Sequence, residues 1–312
     1  MNYEQFCKLI ERTIGEFLPE EMGKCETSLH FADKANNVKR VGITFQRLGE
    51  NTSPTIYLED FYQHFMNGDS FEDICVEIVD MYKHCMEKDL DTSFLDGFKL
   101  ENMKDKITMR MVNYKDNRMF LREVPHKLVD DLAVYYVITM HTDRESIATM
   151  LVRNEHLDAL GISGNELHEI AYKNTREVYP PELRSMRVKM KELKEDIILP
   201  KRKGPSDELY VLTNEFGQYG AVNILYPDIA EKAREIIGGD YYIIPSSVHE
   251  MLLVSKDFGP TPKYIGEMIR DINMTQVERE EWLSDHAYDM DFDKKELRTV
   301  KESLPRQKEM ER

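Results

Sequence analysis

The sequence predicts an α+β fold in which mixed, mostly antiparallel strands pack under helices, and three observations carry that expectation. Strand-like runs dominate residues 107–140, and hairpin patterns recur after residue 209. Capping boxes at Ser70/Asp73 and Ser163/Glu166 each open a stretch with apolar residues at helical spacing.

Taken in order, residues 3–18 place Phe6, Leu9, Ile10, Ile14 and Phe17 on one face, which predicts an opening amphipathic helix rather than a signal peptide. Short strands at 38–47 and 55–58 flank a turn-rich segment, GENTSP, and read as a hairpin-like pair. Asn67, Gly68 and Asp69 stop the chain, and Ser70 starts a helix with apolar residues at 71, 74, 75, 78, 79, 82 and 86. Strand patterns follow at 107–112, at 119–124 after a polar turn, and at 132–140. The last is nearly all apolar or aromatic and predicts a buried central strand. The Ser163 helix runs to about residue 175 with Leu167, Ile170 and Ala171 inward, and Pro180 and Pro181 end that unit. A basic helix comes next, and residues 199–207, with two prolines, a glycine and three basic residues, are the predicted linker.

Beyond the linker, strands are expected at 209–213, 220–225, 241–244 and 251–254, with a helix at 227–237 that has Pro227 in its first turn and Gly238 past its end. Helices at 264–272 and, capped by Thr275 with Glu278, at 276–288 close the pattern. The implied organisation is an N-terminal α+β domain over 1–200, a C-terminal α+β domain over 205–298 and a frayed charged tail over 299–312. The first domain holds the opening helix, a hairpin–helix unit and a strand-rich unit over 107–175. A degenerate internal repeat is also suggested. Met111-Val112-Asn113 and Leu212-Thr213-Asn214 are each followed by a proline (Pro125, Pro227) and then by a Tyr-Tyr strand (Tyr135-Tyr136, Tyr241-Tyr242).

Of the 312 residues, 41% are apolar, enough for a large core, and the formal net charge is -16. That charge opposes nucleic-acid binding, which relies on Lys and Arg at phosphates. The basic stretch 184–203 is the one exception and reads as a solvated helix and linker. Cys7, Cys25, Cys75 and Cys85 form no CxxC pair, which fits a reducing cytoplasm. No run approaches the roughly 20 apolar residues needed to span a bilayer, so no membrane partner is expected. The 18 methionines read as adaptable core filler.

No reaction signature is complete. His249-Glu250 begins like a zinc-protease helix, but Leu253 stands where the second His is required. Ser246 and Ser247 lie too close to His249 in an extended segment to use it as a triad base, and capping the turn between two strands is the preferred role of this polar group. Asn214, Gly217 and Gly220 form N-x-x-G-x-x-G between two strands, a hairpin loop rather than a phosphate cradle. Asp289, Asp291 and Asp293 have the spacing of a calcium loop, yet Lys294 and Val300 replace the required Gly and Glu, so the run reads as an exposed helix end. His126 beside Asp130 and Asp131 is either a satisfied turn histidine or an acid-base or metal site. His84 and Cys85 are adjacent on one helix and point apart.

Several segments together resemble an uncharacterised bacterial family of unknown function, met in anaerobic Gram-positive bacteria and often near mobile elements. They are SPTIYLEDFYQHFMNGDSFEDI from Ser53, MVNYKDNRMF from Met111, VPHKLVDDLAVYY from Val124, LGISGNELHEIAYKNT from Leu160, and YVLTNEFGQYGA with YIIPSSVHEMLLV farther on. The resemblance spans about residues 35–290 and implies no catalytic residue, ligand or partner.

The expectation is therefore an accessory or protein-interaction protein of the cytoplasm, with no cofactor and no metal. The alternative is a hydrolase or small-molecule-binding enzyme using Ser246, Ser247, His249 and Glu250, with His126, Asp131 and Asn214 as further candidates. Convergence of His126, Asp131, Asn214 and His249 on one pocket favours the enzyme, and their dispersal favours the accessory protein.

Overall fold

The computed structural model describes residues 1–20, 25–47, 53–87, 100–142, 147–192, 204, 208–257 and 259–301. The chain forms two compact units, Met1–Phe98 and Lys99–Arg312. This division differs from the boundary expected near residue 200. A strand from before the expected linker, β8, pairs with one from after it, β9, and residues on both sides of 200 share one sheet. Most of the linker itself lies outside the described residues.

In the first unit, helix α1 (Tyr3–Thr13) is closed at its start by a capping box between Asn2 and Gln5. Strands β1 (Cys25–Asp33), β2 (Lys39–Arg47) and β3 (Thr55–Tyr57) form an antiparallel sheet in that order. The β2–β3 hairpin matches the expectation, whereas β1 is an element the polar composition of CETSLHFAD concealed. Helix α2 (Glu59–Asn67) was likewise not anticipated, and it ends at Gly68, whose φ of 107° suits glycine. Helix α3 (Phe71–Glu87) begins where Ser70 accepts the Asp73 N–H at 3.1 Å. Its buried residues Ile74, Cys75, Ile78, Val79 and Tyr82 meet Phe6, Ile10 and Ile14 of the first turns and Ile43 and Phe45 of β2 in one core. The Tyr82 hydroxyl donates to the Phe45 carbonyl, satisfying its one polar atom within that core.

The second unit contains two antiparallel sheets. Strands β4 (Ile107–Asn113), β5 (His126–Val129), β6 (Leu132–Thr142) and β7 (Ile147–Leu151) make the first. The apolar β6 is central as expected. It pairs with β4 on one edge and, one after the other, with β5 and β7 on its other edge. Residues 119–124 are not a strand but the short helix α4 (Arg118–Glu123), in which Leu121 turns inward while Met119 stays exposed. A six-residue apolar-polar mixture is too short to separate the two periods. Helices α5 (His156–Leu160) and α6 (Gly164–Val178) follow, the latter opened by the Ser163/Glu166 box. Thr175 on α6 accepts the Met109 N–H at 2.7 Å and Asn174 donates to the Ile107 carbonyl, so α6 lies along the edge of β4 that β6 leaves free.

The second sheet has the order β13-β12-β10-β11-β9-β8. Its members are β8 (Pro181–Ser185), β9 (Leu209–Asn214), β10 (Tyr241–Ser247), β11 (Glu250–Ser255), β12 (Tyr288–Asp291) and β13 (Glu296–Thr299), and all its described ladders are antiparallel. Helices α7 (Met186–Glu192), α8 (Pro227–Ile237) and α9 (Pro262–Thr275) complete the unit, α8 with Pro227 and Gly238 at its ends as predicted. Three further expectations give way here. Residues 220–225 form a 3₁₀ helix instead of a strand, because the Gly220 and Ala221 N–H groups donate to His249 and Val248 rather than to a neighbouring strand. The helix at 276–288 is replaced by a short 3₁₀ turn at Arg279–Glu281 and by β12, since the Thr275 hydroxyl bonds back to the Asp271 carbonyl and closes α9 instead of opening a new helix. The acidic run from Asp289 is thus a strand hairpin, and the segment expected to fray from residue 299 starts inside β13, with residues 302–312 outside the described set.

The suggested repeat does not extend to topology. The Tyr135-Tyr136 strand pairs directly with the Asn113 strand, whereas β11 lies between the Tyr241-Tyr242 strand and the Asn214 strand.

Candidate functional site

Residues 213–220, 247–250 and 279–281 form the polar cluster around His249. Strand β10 runs to Ser247 and the hairpin turn is Val248-His249, so Ser246 and Ser247 lie within the strand that was expected to end at 244. Pro245 pairs with Met251 and Ser247 with Glu250, leaving Ser246 as the extra residue of a bulge. The His249 Nδ1 accepts the Tyr219 N–H at 3.1 Å. The proton therefore sits on Nε2, which faces Glu281 Oε1 at 3.2 Å. The His249 carbonyl accepts from the Gly220 N–H and the Thr213 hydroxyl, each at 2.9 Å. The Ser247 hydroxyl accepts the His249 N–H at 3.1 Å. Asn214, 1% exposed, folds the loop onto itself by accepting the Phe216 and Gln218 N–H groups and donating to the Gln218 carbonyl. Glu250 forms an ion pair with Lys189 of the basic helix.

The loop reaches this arrangement because Gly220 has no side chain. A Cβ there would lie 2.6 Å from the Thr213 hydroxyl, 2.7 Å from the Thr213 Cα and 2.8 Å from the Asn214 nitrogen. Tyr219, just before it, takes a left-handed φ of 52°. Its ring lies 5.1 Å from the His249 ring and 3.6 Å from the Arg110 guanidinium.

Arg110 is the functional candidate that sequence reasoning missed. It stands on β4 directly opposite Tyr135 of β6, so both side chains leave the sheet on the same face. Arg110 is 9% exposed, donates to the Thr149 hydroxyl of β7 at 3.3 Å and has the Tyr135 phenol as its cross-strand neighbour. Burial by itself disfavours its charge, and the phenols of Tyr135, Tyr219 and Tyr179 outweigh that, so the guanidinium stays protonated. Burial also raises the Tyr135 phenol, an effect Arg110 only partly relieves. A signal was present in the sequence. Arg110 is the single charged residue of ITMRMVN, and period-2 spacing sets it apart from its neighbours Met109 and Met111.

The remaining candidates lie elsewhere. His126 is exposed, with Nδ1 3.1 Å from the Val124 carbonyl. Asp131 accepts the Tyr288 hydroxyl at 2.6 Å and faces His286 Nε2 at 3.3 Å, while His286 Nδ1 meets Asp285 at 2.9 Å. Burial opposes the charged His286 imidazole, yet Asp131 and Asp285 hold its pKa above the ordinary value. Burial likewise opposes the Asp131 carboxylate, and His286 with Tyr288 holds it below its ordinary range. Asp289 is paired with Lys256 at 2.7 Å and with Arg298, and Asp291 with Arg298 at 3.2 Å, so the first two aspartates that mimicked a calcium loop face cations of the chain itself. Among the described residues, no three His, Cys, Asp or Glu side chains are grouped to hold a metal. One cleft of about 440 Å³ is lined by Glu123, Arg153, Asn154 and Glu155, none of them a candidate. Asn214 and His249 thus come together, whereas Asp131 and His126 have partners of their own.

Fold and site define an α+β protein built on mostly antiparallel sheets, with polar groups directed largely at its own backbone. The chain belongs to a family of unknown function, DUF5688, whose model matches residues 3–291. No curated protein and no solved structure matches it. No described helix is long and apolar enough to cross a membrane.

Proposed function

We propose that this protein is a non-catalytic accessory or protein-interaction protein of the bacterial cytoplasm, in the mobile-element setting that the family resemblance implies. One observation carries the reading: the side chains best suited to chemistry are engaged by the chain itself. Both His249 nitrogens have partners, Ser247 serves the His249 backbone, Asn214 shapes its own loop and Glu250 pairs with Lys189. A general base needs a nitrogen directed at the proton it removes, and a serine nucleophile needs that base in reach. Neither requirement is met at residues 246–250, which argues against a hydrolase there.

The basic stretch offers little to phosphates in its described part. Arg184 pairs with Glu182, Arg187 with Glu208 at 3.3 Å, and Lys189 with Glu250. The four free cysteines accord with a reducing compartment. The test has two arms. The tagged full chain should recover a protein from its native host that recovers the chain in turn when it is tagged instead. The purified chain should hydrolyse fluorogenic carboxylic and phosphate esters no faster than buffer. A chain that reproducibly purifies alone, or an ester turnover lost in His249→Ala, overturns the reading.

A further inference from the structure

Arg110, Tyr135 and Thr149 form a cluster with more donors than acceptors. A guanidinium carries five N–H groups and no acceptor, and Arg110 donates to one neutral hydroxyl, that of Thr149, beside the neutral phenol of its cross-strand partner Tyr135. Each hydroxyl oxygen that accepts from Arg110 turns its own hydrogen elsewhere. Neither the Tyr135 nor the Thr149 hydroxyl donates to an acceptor among the described residues, and Arg110 forms no ion pair with a described carboxylate. Register explains the convergence. Tyr135 is the cross-strand partner of Arg110, and Thr149 opposes Thr139, on the same face of β6 as Tyr135. The Tyr219 ring covers the guanidinium from above at 3.6 Å, held by its backbone N–H on His249. A ring at this distance offsets part of the cost of a buried cation and leaves its N–H groups free to donate elsewhere.

We propose that Arg110, with the Tyr135 and Thr149 hydroxyls, binds the oxyanion of a small ligand, a carboxylate or a phosphoryl group, beneath the Tyr219 ring. A buried cation is stabilised most by an anion that accepts several charge-assisted hydrogen bonds, and a planar fork with two flanking O–H donors suits two or three oxygens of one group. The site binds without turnover, since neither hydroxyl is hydrogen-bonded to a base among the described residues. It goes beyond the interaction reading, which can fail while this site stands.

The test uses the full chain in thermal unfolding, titrated with sodium phosphate and, separately, sodium acetate, against sodium chloride at matched ionic strength. Linkage predicts a rise in Tm with the anion that binds, growing with the logarithm of its concentration above Kd and equivalent to about 2.7 kcal/mol of stability at a hundredfold excess over Kd. A rise with phosphate alone assigns a phosphoryl group, with acetate alone a carboxylate, and with both an oxyanion of either kind. The rise should be lost in Arg110→Met and reduced at least about threefold in apparent affinity in Tyr135→Phe and Thr149→Val. These last two variants keep the charge and the packing should Arg110→Met fail to fold. No rise beyond chloride, or an equal rise in Tyr135→Phe and Thr149→Val, overturns the site.

Discussion

Ser246 and Ser247 are adjacent and chemically identical, yet the bulge in β10 gives them different surroundings. Ser247 is 8% exposed and accepts the His249 N–H, whereas the Ser246 hydroxyl has no hydrogen bond with a described residue. Ser247→Ala should therefore cost about 1 kcal/mol, the usual worth of one such bond, and Ser246→Ala should stay within about 0.5 kcal/mol of the parent. Chemical denaturation of both variants checks this, and equal losses would contradict the assigned bulge. The pair Asp131–His286 adds a pH dependence with a definite sign. The folded pKa of His286 is raised, so its contribution is full below about pH 6.5 and is lost as pH rises through the folded value. The folded pKa of Asp131 is lowered, so its contribution is present above about pH 3.9 and is lost as pH falls through the folded value. Asp131→Asn should thus lower Tm more at pH 5.5 than at pH 8.5, and a gap independent of pH would show that the pair carries no charge linkage.

Among the elements, α3 and the Asn214–Gly220 loop show what spacing can and cannot reveal. The Ser70 box and seven apolar positions specified α3 because helical period, cap and burial agree, and Ile78 is fully buried within its core. Ile78→Asp should destabilise the protein by several kcal/mol as an unpaired buried charge, read as a collapse in Tm. An unchanged Tm would remove Ile78 from the core. The segment after Asn214 was legible only as a break between strands. Its apolar residues 220–225 suit a strand or a 3₁₀ helix equally, and the choice rests on hydrogen bonds from Gly220 and Ala221 to a turn some 30 residues away. Gly220→Ala should cost about 1–3 kcal/mol, because the added methyl meets backbone atoms that cannot move aside. A neutral Gly220→Ala variant would show the loop is free to shift.

For the whole molecule, partners within the chain meet the side chains whose spacing resembles ligand sets. Lys256 and Arg298 already neutralise Asp289 and Asp291, and His249 bonds Glu281 and a backbone N–H. Elemental analysis of the purified protein should find no stoichiometric zinc or calcium, and one bound equivalent would redirect attention to His126, His249 and their acidic neighbours. The sequence by itself determined the α+β class, the capped helices α3, α6 and α8, the central strand β6, and the β2–β3 and β10–β11 hairpins. Each of these follows from local period and cap chemistry, which act within a few residues. It did not reveal β1 or the short helices, whose mixed composition carries no clear period, nor the boundary at residue 98, which depends on which strands share a sheet. Only the tertiary structure decided what the polar side chains do. It separated Asp131 and His126 from Asn214 and His249, gave His249 to the Tyr219 loop, and placed Arg110, Tyr135 and Thr149 together across three strands. Contacts of that kind join residues far apart in the chain, and no spacing within one segment encodes them.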